Sequence, residues 1–139
     1  MIERHLEIEI TNALKEIACN HNIIVEDNIN LSSGTPDFSV VNRQGVFMNK
    51  NFDTNVSLNF RLAHELSHLI YGNKDIQKIY TFSEFGHRHE ELLAHRNAIR
   101  MLMSIEMPTN VNGFMEYYHV PSWLEQYANE TFKSLSVVE

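Results

Sequence analysis

The chain has 139 residues, 43% hydrophobic and 21% charged, with only 5 Gly and 3 Pro, a balance that excludes a fibrous or disordered polymer and predicts a single globular domain over residues 1–139. Its formal net charge of −7 removes any general attraction for phosphate backbones or anionic lipid, and no run of Lys and Arg supplies a local one, so neither nucleic acid nor membrane is expected as a partner. The lone Cys19 excludes an internal disulfide and a Cys-rich zinc cluster, and the acidic opening "MIERHLEIEI" lacks the character of a signal peptide, which together predict a cytoplasmic protein.

Ile2, Leu6, Ile10, Ala13, Leu14, Ile17 and Ala18 recur at helical spacing and predict an amphipathic helix over residues 2 to about 20. "IIVED" is a short β-branched run, followed by "NINLSSGTPD", a turn-rich stretch unsuited to a helix interior. "FSVV" and "VFMN" flank "NRQG", predicting two antiparallel strands with Gly45 at a position of positive φ. From about Asn55 to Tyr71 the helical period returns, stopped at Gly72, and "NKDIQKIYTFSEFG" reads as a loop with one aromatic turn. A further helix is expected from about His87 to Ser104, with Pro108 marking the connection to a helical tail over about 109–139. Its last helix opens at "PSWLEQY", where Ser122 and Glu125 would form a capping box. These elements predict a compact α+β fold, mostly helical, with a small, mainly antiparallel sheet against the helix of residues 55 to 71.

That helix contains "RLAHELSHLIYG". At about 100° per residue His64 and His68 share one face with Glu65 on its shoulder, while Leu58, Leu62, Leu66 and Leu69 gather on the far side. Two imidazoles one turn apart can reach a single Zn²⁺, and the intervening glutamate then lies beside the reacting water without ligating. With 8 His and 18 Asp and Glu chance alone can produce this H-E-x-x-H spacing, so context decides. Apolar neighbours on both sides predict burial, and burying imidazoles without partners is costly.

A catalytic site of this kind needs a third protein ligand and an open position. In "HRHEELLAHRNAIRMLM" a helix would place Glu91, Ala94, His95, Ala98 and Leu102 on one face, with Arg96 and Arg100 on the other. The two alanines permit close approach to the motif helix, which favours Glu91 as the ligand, with His87, His89, Glu90 and His95 as alternatives. Glu90 points about a quarter turn off the small-residue face, and His95, one turn beyond Glu91, suits a residue that orients a ligand by hydrogen bonding.

"VFMNKNFDTNVSLNFRLAHELSHLIYG" together with "EELLAHRNAIRMLM", about half the chain, resembles the ImmA/IrrE family of zincin-like metallopeptidases, whose members join H-E-L-x-H to a downstream E-x-x-A-(N/D)-x-x-A helix. Glu91, Ala94 and Ala98 match the second pattern. His95 stands where Asn or Asp is usual, Asn97 replaces an aromatic, and Ser104 interrupts an expected Pro. The resemblance implies His64, His68 and Glu91 as zinc ligands, with Mn²⁺ an alternative metal, and Glu65 as catalytic acid/base. It further implies a phage or mobile-element peptidase whose partner and substrate is a helix-turn-helix transcriptional repressor.

An oxyanion-stabilising donor is also expected, with Tyr117, Tyr118, His119 and His95 as unranked candidates. A rival reading is a non-catalytic zinc-binding regulatory module that holds a partner protein. The tail has the outline of a helix-turn-helix, but Lys133 is the only Lys or Arg from Thr109 onward, against Glu116, Glu125, Glu130 and Glu139, which argues against DNA. That face remains open to protein docking, including a self-contact that makes a homodimer.

Overall fold

The computed structural model describes residues 2–74, 78–86 and 88–136. In chain order the elements are α1 (Ile2–Asn20), β1 (Ile24–Ile29), β2 (Phe38–Val40), β3 (Gly45–Asn49), α2 (Leu58–Tyr71), β4 (Ile79–Thr81), α3 (His89–Ile105), α4 (Val111–Tyr118) and α5 (Glu125–Ser136), with 3-10 turns at Val41–Arg43 and Ser122–Leu124. The fold is α+β, as the pattern of the sequence predicts.

The sheet runs β1-β3-β2-β4. β1 lies parallel to β3, while β2 is antiparallel to both β3 and β4, so the sheet is mixed and mainly antiparallel. β1 extends further than expected: Ile29 still pairs with Asn49 across an irregularity after Glu26, drawing part of the turn-rich stretch into the sheet. The β2–β3 connection corrects the Gly45 expectation, since the left-handed residue is Gln44 (φ 50°, ψ 45°) at the end of the 3-10 turn. Gly45 instead opens β3, where a Cβ would stand 3.2 Å from the Phe47 ring.

α2 forms the centre of the molecule. Ser57 caps it by accepting the Phe60 N–H at 3.2 Å, and every residue from Asn59 to Leu69 is buried. Its C-terminal Gly72 has extended geometry (φ −75°); glycine serves there by leaving room, because a Cβ would lie 2.4 Å from the His68 carbonyl oxygen. α1 contributes Ile10, Leu14 and Ala18, and α3 contributes Ala98, Ile99 and Leu102, to one apolar cluster that also takes in Val46, Met48, Phe114 and Ala128. Ala94 and Ala98, 2% and 0% exposed, are the small residues that allow α3 to pack closely on α2.

Two further expectations are corrected. Within 73–86 the chain is not all loop, since Ile79–Thr81 forms the terminal strand β4 against β2. The Ser122–Glu125 capping box is not the way into α5: a 3-10 turn without a side-chain cap precedes the helix, and the Glu125 N–H goes to the Ser122 carbonyl. Among the described residues no helix is long and apolar enough to cross a membrane.

Candidate metal centre

His64 and His68 stand one turn apart on α2, in a helix whose apolar residues bind it to the sheet and to α3. Glu91 occupies the first turn of α3, where the helix dipole favours a carboxylate. The packing of the two helices closes these three into a buried group. His64 Nε2 lies 3.1 Å from His68 Nε2 and 3.1 Å from Glu91 Oε1, and His68 Nε2 lies 2.9 Å from Glu91 Oε2. Ligands held about 2.0–2.1 Å from one tetrahedral ion stand about 3.3 Å from each other. The observed spacings therefore approach those of three ligands around a common centre, and the group could hold a metal ion.

Burial pushes the His64 imidazole down to about 4, so the ring is neutral at pH 7, and with its one proton on Nδ1 it would offer the Nε2 lone pair to a cation. Burial alone would raise Glu91, but hydrogen bonds from His64 and His68, and the charge those rings carry when protonated, outweigh it and bring the carboxyl down to about 2. Two imidazole nitrogens and one carboxylate oxygen form a donor set that suits a divalent ion.

Glu65 has no solvent exposure, and neither of its oxygens has a hydrogen-bond partner among the described residues. Burial pushes its carboxyl well above the ordinary value, and the neighbouring charges of Glu91 and Asp37 add to the rise against the pull of Ser39 and Arg61. The Ser39 hydroxyl acts on this carboxyl but does not meet it in hydrogen-bonding geometry.

Aromatic rings fix the two imidazoles, whose Nδ1 atoms have no partner among the described residues. Tyr80 stacks on His68 with centroids 4.0 Å apart and planes 10° from parallel, and its hydroxyl donates to the Asn73 carbonyl at 3.0 Å. Phe82 meets His64 edge-on at 5.0 Å. Sequence reasoning missed both residues: Tyr80 and Phe82 are buried while Ile79 and Thr81 are exposed, the two-residue alternation of a strand, but the apolar Ile79 on the exposed face hides that alternation in "IYTF".

The other candidates fall into place individually. Glu90 is taken up elsewhere, its Oε1 accepting the Asn73 N–H at 3.0 Å. His89 is exposed, and His87 lies outside the described residues. His95 is buried with its ring centroid 4.3 Å from that of His64, yet the expected hydrogen bond to a ligand is not made. Its Nε2–H donates to the Ser83 carbonyl at 2.9 Å, and Nδ1 has no partner among the described residues; burial, with His64 adding to it, lowers this imidazole to about 3. Phe60 and Trp123 complete its surroundings, at 5.9 and 5.7 Å between ring centroids.

A cavity of about 720 Å³ opens beside Glu91, lined by Asn73, Thr81, Ser83, Arg88, His89 and Glu90. None of Tyr117, Tyr118 and His119 lines it. The Tyr118 carbonyl accepts the Ser57 N–H at 3.0 Å, which places the end of α4 at the start of α2, away from the motif's later turns. Tyr117 and Tyr118 border a separate groove with Leu6, Ile10 and Phe114. His119 is exposed and ends α4 in a left-handed conformation (φ 53°).

No family model, curated protein or solved structure matches the chain.

Proposed function

We propose that the protein is a zinc-dependent endopeptidase that cleaves a helix-turn-helix repressor. The observation that supports it most is the convergence of His64, His68 and Glu91 within 4.8 Å of one another, one residue along from a buried carboxyl with no partner. The repressor as substrate follows from the resemblance to ImmA/IrrE peptidases.

Zinc, when bound by these three side chains, supplies a Lewis acid that polarises a carbonyl and brings the pKa of water toward about 7. Glu65 takes a proton from the attacking water on a carboxylate oxygen and returns it to the leaving amine, a role worth about 10²–10⁴ in rate. β4 is the terminal strand of the sheet, and Thr81 with the neighbouring Ser83 lines the cavity beside Glu91. A substrate segment laid in extended form along that edge would bring its backbone to the cluster.

The test is incubation of the full chain with a candidate repressor and Zn²⁺ or Mn²⁺, with and without chelator, read as a discrete pair of fragments by mass spectrometry. Glu65→Gln is expected to retain zinc and the fold while losing cleavage. Full activity in that variant refutes the role of Glu65. A wild-type protein that binds zinc and the repressor but never cuts it supports the regulatory binding module instead.

A further inference from the structure

Gly86 lies in the turn between β4 and α3, with its N–H donating to the Ser83 carbonyl at 3.2 Å. Its φ is not positive, so backbone conformation does not account for glycine here. Space does. A Cβ at this position would stand 2.8 Å from Glu91 Cβ, 3.0 Å from Cγ and 3.3 Å from Oε1. The Glu91 Cβ is fixed to the helix backbone and cannot swing aside as the tip of a long side chain would, so relief requires either the turn or the first turn of α3 to move.

The turn is tethered from two directions. His95 on α3 donates Nε2–H to the Ser83 carbonyl at 2.9 Å, and Trp123, in the 3-10 turn before α5, donates Nε1–H to the Glu84 carbonyl at 2.8 Å. A side chain added at residue 86 would therefore press on the stem of Glu91 from a turn with little freedom to withdraw.

We propose that Gly86 is a positioning residue for the metal centre: its bare backbone packs against the stem of Glu91 and holds the carboxylate toward His64 and His68. This inference rests on the metal-binding reading above. Trp123, through the Glu84 carbonyl, extends the support to the helical tail.

The test compares the full-length wild type with Gly86→Ala, with Glu91→Ala, and with Gly34→Ala as a control, since a Cβ at Gly34 meets nothing within 4 Å. Zinc affinity is measured by competition with a chromophoric chelator, Co²⁺ coordination by visible absorption, and apo stability by urea unfolding. Gly86→Ala is expected to weaken zinc binding by about 10–100-fold, the range typical when residues supporting metal ligands are altered. Its Co²⁺ spectrum should move toward that of Glu91→Ala, with Gly34→Ala unchanged. Wild-type zinc affinity and an unaltered Co²⁺ spectrum in Gly86→Ala overturn this inference alone. A wild type that takes up no zinc overturns the metal centre, and this inference with it. Should Gly86→Ala not fold, Trp123→Phe carries the test, because it loosens the same turn without adding an atom. A smaller loss of zinc affinity with the same spectral drift supports the proposal, and unchanged binding overturns it.

Discussion

Glu65→Gln should uncouple the stability of the metal-free protein from pH over the range in which the wild-type carboxyl must take up a proton to fold. The ordinary carboxyl value is 4.5, and in the folded protein burial places Glu65 well above it. For an acid shifted in this direction the folded state binds more protons than the unfolded one. Its influence is therefore absent below about pH 4.5, where both states are protonated, and grows as a loss of stability while pH rises toward the folded pKa. One proton taken up on folding corresponds to a limiting slope of about 1.4 kcal/mol per pH unit between the unfolded and folded pKa values. Each such unit is a sizeable fraction of the roughly 5–15 kcal/mol that holds a typical domain together. Glutamine preserves the shape of the neutral acid and does not titrate, so the advantage of the variant should widen as pH rises above about 4.5, by at most about 1.4 kcal/mol per unit, and level off where the folded carboxyl ionises. His64 and His95, lowered to about 4 and about 3, act in the opposite sense, losing stability as pH falls from their ordinary value toward those figures. Both are present in both proteins and largely cancel in the difference. Urea unfolding in chelator at half-unit intervals from pH 4.5 to 7 measures it, and parallel curves for the two proteins would refute the reasoning.

Zinc at about 1,000 times its Kd should stabilise the folded protein by about 4 kcal/mol, a rise of about 10–15 °C in Tm that chelator reverses; His64→Ala, His68→Ala and Glu91→Ala should each abolish the shift in a thermal melt. Arg61 and Asp37, with side chains 6% and 0% exposed, meet at 2.6 Å just ahead of the motif, and burial raises the Asp37 carboxyl even with Arg61 beside it. Arg61→Met or Asp37→Leu alone should therefore cost about 3–5 kcal/mol by stranding a buried charge, whereas the double variant should recover most of that loss in urea unfolding.

Much of the candidate site was legible in the sequence because it depends on helical geometry. A spacing of four residues places His64 and His68 on one face wherever the helix goes, and Ala94 and Ala98 mark the face of α3 that approaches it. What escaped depends on neighbours remote in the chain. Tyr80 and Phe82 gain their importance from a strand of three residues, too short for its alternation to stand out between charged and polar neighbours. Gly45 was the natural choice for a positive φ, but the 3-10 turn places Gln44 there and leaves the glycine beneath Phe47. Nothing in "FMEYYHV" reveals that α4 docks at the start of α2, which takes its tyrosines to a different groove. The role of Ser83 was similarly hidden, because its contribution is a carbonyl oxygen and any residue type could have supplied one.

The distribution of unsatisfied polar atoms also bears on why the chain tolerates this arrangement. Asp37, Asn49, Asn59, Arg61 and Ser67 are buried and each is hydrogen-bonded, as expected of polar groups in a folded interior. Among the described residues, the buried side-chain atoms that lack a partner belong to Ser39, His64, Glu65, His68 and His95. Each such atom costs about 1–3 kcal/mol, and elsewhere the fold avoids that cost by pairing. Concentrating it around one pair of imidazoles and one carboxylate is hard to account for by packing, since apolar residues of similar size would fill the same volume without penalty. A cation held by Nε2 of His64 and His68 and by Glu91, with solvent beside Glu65, would give a partner to the Glu65 oxygens that the protein itself leaves unpaired, although the Nδ1 atoms would not be among its ligands.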